Sequence, residues 1–132
     1  KDFQQLQIVK KLVQKLKMPI TIIGCPIQRE PNGLAMSSRN ERLSESEKKE
    51  AAVIYKTLKQ VKAKFKTESA SAVTNWVSKT FDKIPNIKLE YFQIADENTL
   101  LPCLRKVENK KYRAFIAVFI NNIRLIDTIA LK

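Results

Sequence analysis

The run Tyr112-Arg113-Ala114-Phe115-Ile116-Ala117-Val118-Phe119-Ile120 meets Asn121-Asn122 and returns through Ile123-Arg124-Leu125-Ile126. Its β-branched and aromatic side chains suit a pleated, buried surface. The Asn pair has the chemistry of a hairpin turn, so two antiparallel strands are expected on either side of it. Upstream, Lys88 to Ile94 alternates, with Leu89 and Tyr91 set against Phe92 and Ile94. That period of two predicts a further strand, and an antiparallel sheet is expected to close the chain.

Ahead of this sheet the period becomes helical. Ser44 opens a capping box with Glu47, and the stripe Ala51, Ile54, Tyr55, Leu58, Val61 and Phe65 predicts a helix to about Phe65. A second helix is predicted from about Ser69 to Lys83, with Val73, Trp76, Val77 and Phe81 on one face and Pro85-Asn86 breaking it. At the start, Phe3, Leu6, Val9, Leu12, Val13 and Leu16 predict an amphipathic helix over 3–17, ended by Pro19. Ile20-Thr21-Ile22-Ile23-Gly24-Cys25 is apolar on both faces, as expected of a parallel strand covered on both sides. The fold class is therefore α/β passing into α+β. Residues 1–27 read as the last helix–strand unit of a doubly wound sheet. Residues 28–132 read as a small α+β domain with an antiparallel sheet.

Ligands of doubly wound sheets gather beyond the carboxyl ends of the strands, which places the segment after Cys25 at the mouth of a site. Residues 33–40 there read Gly-Leu-Ala-Met-Ser-Ser-Arg-Asn. Ser37 and Ser38 can donate hydrogen bonds and Arg39 adds a planar fork of donors, together a compact anion cradle. Gly33 lets the backbone turn sharply or approach a ligand closely. Little apolar anchoring is visible before Leu43, so this loop is expected to be mobile and ordered by its ligand.

Composition bounds the rest. The chain has 132 residues and 44% are hydrophobic, enough for a core and against wholesale disorder. Lys and Arg outnumber Asp and Glu by 25 to 13, and the resulting +12 makes a basic nucleic-acid-binding module the alternative reading. Against it, Lys48, Lys49, Lys56, Lys59, Lys62, Lys64 and Lys66 fall on one helix pattern as a solvated face. There is also no basic stretch interleaved with aromatics. No apolar run approaches the roughly 18–20 residues that cross a bilayer. Cys25 and Cys103 stand far apart and the chain has no histidine, which argues for a reduced, cytoplasmic protein without a zinc site. Neither Ser-His-Asp nor Cys-His machinery can be assembled, so any chemistry runs on positioning and electrostatics or borrows groups from elsewhere. The start, Lys1-Asp2-Phe3-Gln4-Gln5, has neither Met nor a signal-like apolar run, as expected of a piece of a longer chain.

Lys1-Asp2-Phe3-Gln4-Gln5, Gly24-Cys25-Pro26-Ile27-Gln28-Arg29, Gly33 to Asn40 and Arg124-Leu125-Ile126-Asp127 together resemble the pantothenate synthetase (pantoate–β-alanine ligase) family, as its C-terminal half. The resemblance implies a two-step reaction. ATP activates pantoate as a pantoyl adenylate, with Mg²⁺ and release of pyrophosphate, and β-alanine then displaces AMP. It also implies a Rossmann-like nucleotidyltransferase domain ending near residue 27, a hinged C-terminal domain from residue 28, and a homodimeric intact enzyme.

Site residues follow the same resemblance. Lys1 is similar to a lysine on the ATP phosphates, and Asp2 to an acid near the ribose. Gln5 resembles the glutamine that binds pantoate. Met36 would touch adenine, and Gln28 would present its backbone to the base, although the family carries a smaller or apolar side chain there. Ser37, Ser38 and Arg39 form the signature loop, a relative of the Lys-Met-Ser-Lys-Ser loop of class I tRNA synthetases. Lys1 and Arg39 are the implied catalytic cations. Thr128 stands where the family often has Asn. The family's His-containing phosphate motif lies upstream, so the isolated chain is expected to hold part of a site and to be inactive.

Overall fold

The computed structural model describes residues 2–131. Three helices precede three strands: α1 (Phe3–Lys15), α2 (Glu45–Lys64), α3 (Ala70–Asp82), β1 (Ile87–Asp96), β2 (Tyr112–Ile120) and β3 (Ile123–Ala130). A short 3₁₀ turn spans Ser38–Arg42. The strands form one antiparallel sheet in the order β1-β2-β3. Ile120 pairs with Ile123 across the two-residue connection, and Asn121 takes the positive φ, 54°, that this tight reversal requires.

Alternation along β2 sorts the sheet into two faces. Tyr112, Ala114, Ile116, Val118 and Ile120 are buried and share one core with Ile54, Leu58 and Val61 of α2 and Val73, Val77 and Phe81 of α3. The capping box of α2 is present: Ser44 Oγ accepts from Glu47 N–H at 3.2 Å and Glu47 Oε1 from Ser44 N–H at 2.8 Å. Asn121 Nδ2 donates to the other Glu47 oxygen, tying the helix start to the hairpin.

The simple alternation expected of β1 does not hold. Register slips between Leu89 and Tyr91, so Glu90 is the inserted residue of a β-bulge. The bulge puts Leu89 on the core side with Phe92 and Ile94, while Tyr91 is 42% exposed. An extra residue shifts the phase of every side chain after it. Glu90 is re-aimed to an ion pair with Arg124 Nε at 2.6 Å.

The strand expected over Ile20–Cys25 is absent as well. Those residues carry no ladder, and Ile23 is 78% exposed. A parallel strand exists only through hydrogen bonds to neighbours, and no described residue supplies one. The described residues therefore form three helices and an antiparallel sheet without a doubly wound unit. Helix α1 buries no residue. It meets the outer sheet face where the Phe3 and Phe115 rings lie 6.0 Å apart and Gln7 Nε2 donates to the Glu97 carbonyl at 2.6 Å.

After β1 the chain reverses around Asp96, whose Oδ1 accepts from the N–H of Asn98 at 2.7 Å and of Thr99 at 3.1 Å. Those N–H groups, Thr99 foremost, hold its carboxyl below the usual range, with Lys110 assisting. A lowered carboxyl contributes stability above the ordinary Asp range of about pH 4 and loses it as pH falls through the lowered value. Asp96→Asn is therefore expected to flatten the acid limb of the stability profile below about pH 4. Superimposable acid-unfolding curves for the two proteins would contradict this.

Candidate functional site

Between Pro26 and Leu43 the chain makes a tight excursion fastened at its base. Arg29 and Ala35 face each other in a β-bridge, Glu30 N–H donates to the Leu34 carbonyl at 2.8 Å, and Gly33 N–H to the Glu30 carbonyl at 2.8 Å. Asn32 closes the tip, accepting from Leu34 N–H at 3.0 Å and donating to the Lys48 carbonyl on α2 at 3.0 Å. Gly33 sits at φ +93°, and a Cβ there would lie 2.5 Å from the Tyr55 ring. Both the conformation and the close approach require glycine.

Arg29 fastens this excursion to the sheet. Its guanidinium donates to Asp127 Oδ2 at 2.6 Å and Oδ1 at 3.0 Å, and to the Gly33 carbonyl at 3.1 Å. One face lies over the Tyr55 ring, 3.8 Å from its centroid. Asp127, on β3, is itself buried and also accepts from Thr128 N–H at 2.7 Å.

The signature loop continues from this base. Met36 N–H donates to the Gln28 carbonyl at 2.9 Å, Ser37 Oγ accepts from Arg39 N–H at 3.2 Å, and the buried Asn40 donates from Nδ2 to the Ala35 carbonyl at 3.0 Å. Leu34 and Ala35 are buried too. The expected lack of anchoring before Leu43 is thus corrected: two apolar side chains and a buried amide pin the loop ahead of that residue.

Met36, Ser37 and Ser38 line an open cleft of about 470 Å³ with Glu30, Asn40, Glu41 and Lys48. Arg39 is exposed and does not line this cleft; its Nη1 lies 3.3 Å from the Arg124 carbonyl on β3. Asp2 lines a different cleft of about 730 Å³, shared with Ile23–Ile27, Arg29, Arg113 and Thr128–Ala130. Its carboxylate also caps α1, accepting from Gln5 N–H at 3.2 Å. Gln5 and Gln28 line neither cleft. The carbonyl of Gln28 is engaged by Met36. Lys1 lies outside the described residues. Thr128 is buried and donates from Oγ1 to the Ala114 carbonyl at 2.7 Å.

Two features of the site are not visible in the sequence. The lysine pattern puts Lys48 on a solvated helix face, yet the first turn of α2 brings it to the wall of the Ser37–Ser38 cleft. The Arg29–Asp127 pair joins residues 98 apart, and no local pattern announces such a pairing. Among the described residues no group of three or more His, Cys, Asp or Glu could hold a metal ion. Among the described residues no helix is long and apolar enough to cross a membrane.

Known proteins resemble this chain along its whole length. The family described as pantoate-beta-alanine ligase matches residues 1–130. The pantothenate synthetase of Flavobacterium psychrophilum is 63% identical over all of this chain, which covers 47% of that protein. The crystal structure of pantothenate synthetase from Thermus thermophilus superposes with a TM-score of 0.88 at 32% identity, covering 99% of this chain and 47% of that one. Pantoate-beta-alanine ligase from Francisella tularensis, complexed with beta-gamma ATP and beta-alanine, matches with a TM-score of 0.64 at 32% identity, covering 99% and 41%. The chain thus spans about half the length of these relatives, and the nucleic-acid reading of its charge finds no support among them. With a match over nearly every residue and the signature loop held on a shared fold, the chain belongs to the pantoate–beta-alanine ligase family.

Proposed function

We propose that this chain is the C-terminal part of an ATP-dependent ligase that joins pantoate to β-alanine through a pantoyl adenylate, releasing pyrophosphate and AMP. The observation that carries this reading is the pinned wall of Met36, Ser37 and Ser38 beside Lys48. Ser37 Oγ accepts from Arg39 N–H, which leaves its own O–H to donate to a phosphate oxygen. Arg39 offers guanidinium donors to the same charge, and Lys48 adds a second cation at the rim. Met36, half exposed, suits contact with a purine face.

The remaining roles belong to the same proposal. Lys1 offsets charge that grows on the α-phosphate, and Asp2 accepts from ribose hydroxyls. Gln5 both donates to and accepts from pantoate, and the backbone of Gln28 faces the base. Mg²⁺ enters with the nucleotide, held by phosphate oxygens and water, as is common for this ion.

Residues 1–27 form the end of a Rossmann-like domain carrying ATP and pantoate, and residues 28–132 a hinged domain that brings the signature loop. The exposed apolar residues Ile8, Leu12, Leu16, Ile20 and Ile23 support this division, since a face of that kind normally packs against something. Homodimeric assembly and a cytoplasmic location belong to the same reading, the former checked by light scattering of the intact protein.

The test is reconstitution. Residues 1–132 alone are expected to form no pantothenate from ATP, pantoate and β-alanine, because reactants and the α-phosphate must be held together. A protein that joins this chain to the segment its relatives carry ahead of it is expected to catalyse pantoate-dependent pyrophosphate release. Failure of that longer protein to do so, while folded, sinks the proposal.

A further inference from the structure

We propose that Arg29 is a positioning residue of the ligase site: its ion pair with Asp127 and its stacking on Tyr55 set the height of the signature loop above β3. This inference rests on the function proposed above. The loop is held to one strand at two points. At its entry Arg29 grips Asp127, and at its exit Arg39 Nη1 reaches the Arg124 carbonyl three positions earlier on β3. At about 3.3 Å per residue these anchors stand roughly 10 Å apart along the strand. In the chain, Met36, Ser37 and Ser38 lie between Arg29 and Arg39.

Stability alone does not account for the pair. Asp127 projects from the core-facing side of β3, where its side chain is 2% exposed and that of Arg29 17%. A buried ion pair is a weak source of stability, and apolar residues of similar volume commonly serve as well. A guanidinium does something they cannot. Its rigid plane bonds both Asp127 oxygens and the Gly33 carbonyl while lying flat on Tyr55, so the turn is fixed in both position and tilt. An ammonium has no such plane.

The test uses the full-length protein containing this chain and compares wild type, Arg29→Lys and the double variant Arg29→Met/Asp127→Leu. Two readouts are taken: amide hydrogen exchange of residues 34–40 without ligand, and pantoate-dependent ATP–pyrophosphate exchange. Arg29→Lys is expected to speed amide exchange by about tenfold and to slow turnover by about 30- to 100-fold with the pantoate KM unchanged. The double variant is expected to keep the thermal midpoint of wild type yet show the same two defects. A folded variant whose loop protection and turnover both stay within about threefold of wild type would overturn the inference. Should the double variant fail to fold, Arg29→Lys decides by the same measure. Should wild type itself show no pantoate-dependent exchange, the proposed function fails, and loop protection still decides whether Arg29 positions the loop.

Discussion

Arg39→Ala in the full-length protein is expected to slow pantoyl-adenylate formation by about 10²–10³-fold, on the order of 3–4 kcal/mol of transition-state stabilisation. The Arg39 side chain is exposed and makes one long contact, 3.3 Å from Nη1 to the Arg124 carbonyl, which leaves most of its fork for a ligand. In the proposed reaction charge accumulates on the α-phosphate as pantoate attacks, so a cation that reached it would gain strength toward the transition state. Such an interaction raises the rate of the chemical step and not merely affinity. Arg39→Lys is expected to fall between wild type and Arg39→Ala, because the charge is kept and the bidentate geometry lost. Single-turnover measurement of adenylate formation at saturating ATP is the check. An unchanged rate with only weaker ATP binding would reduce Arg39 to uniform binding.

How well the sequence announces the fold depends on the range of the interactions involved. Ser44 with Glu47 and the stripe from Ala51 to Phe65 report on neighbours within a turn or two, and α2 lies at Glu45–Lys64. Asn121-Asn122 between apolar runs likewise specifies its own hairpin. The bulge at Glu90 depends on β2 and on the ion pair with Arg124, across the sheet, so alternation alone misplaces Leu89. Ile20–Cys25 has the composition of a buried strand, but a strand is a relation between segments, and the described residues contain no partner for it.

The candidate site divides in the same way. Ser37 and Ser38 stand out in the sequence because hydroxyls beside a fixed cation are a local chemical statement, whereas Met36 is singled out only by the family resemblance. Their firm anchoring does not, since Leu34 and Asn40 look unremarkable until the fold covers them. Lys48 is hidden among other lysines of one helix. Arg29 and Asp127 are visible as residues, but nothing in either neighbourhood shows that a 98-residue loop closes between them.

Asp127→Ala is accordingly expected to destabilise the protein by about 3 kcal/mol, at the lower end of what is seen when one partner of a buried ion pair is removed. The carboxylate accepts three hydrogen bonds: two from the Arg29 fork, at 2.6 and 3.0 Å, and one from Thr128 N–H at 2.7 Å. Its removal strands a cation on the Tyr55 ring and leaves a hole on the core side of β3 beside Ile116, its pairing partner on β2. The lower end applies because the Arg29 side chain is 17% exposed, so water can take up part of the orphaned charge. Removing both partners should cost far less, because an uncompensated buried charge destabilises more than a pair replaced by apolar groups. Urea midpoints of Asp127→Ala and of Arg29→Met/Asp127→Leu, read with one slope, test the asymmetry. Equal losses in the two proteins would mean that the lost packing around β3, and not the stranded guanidinium, sets the penalty.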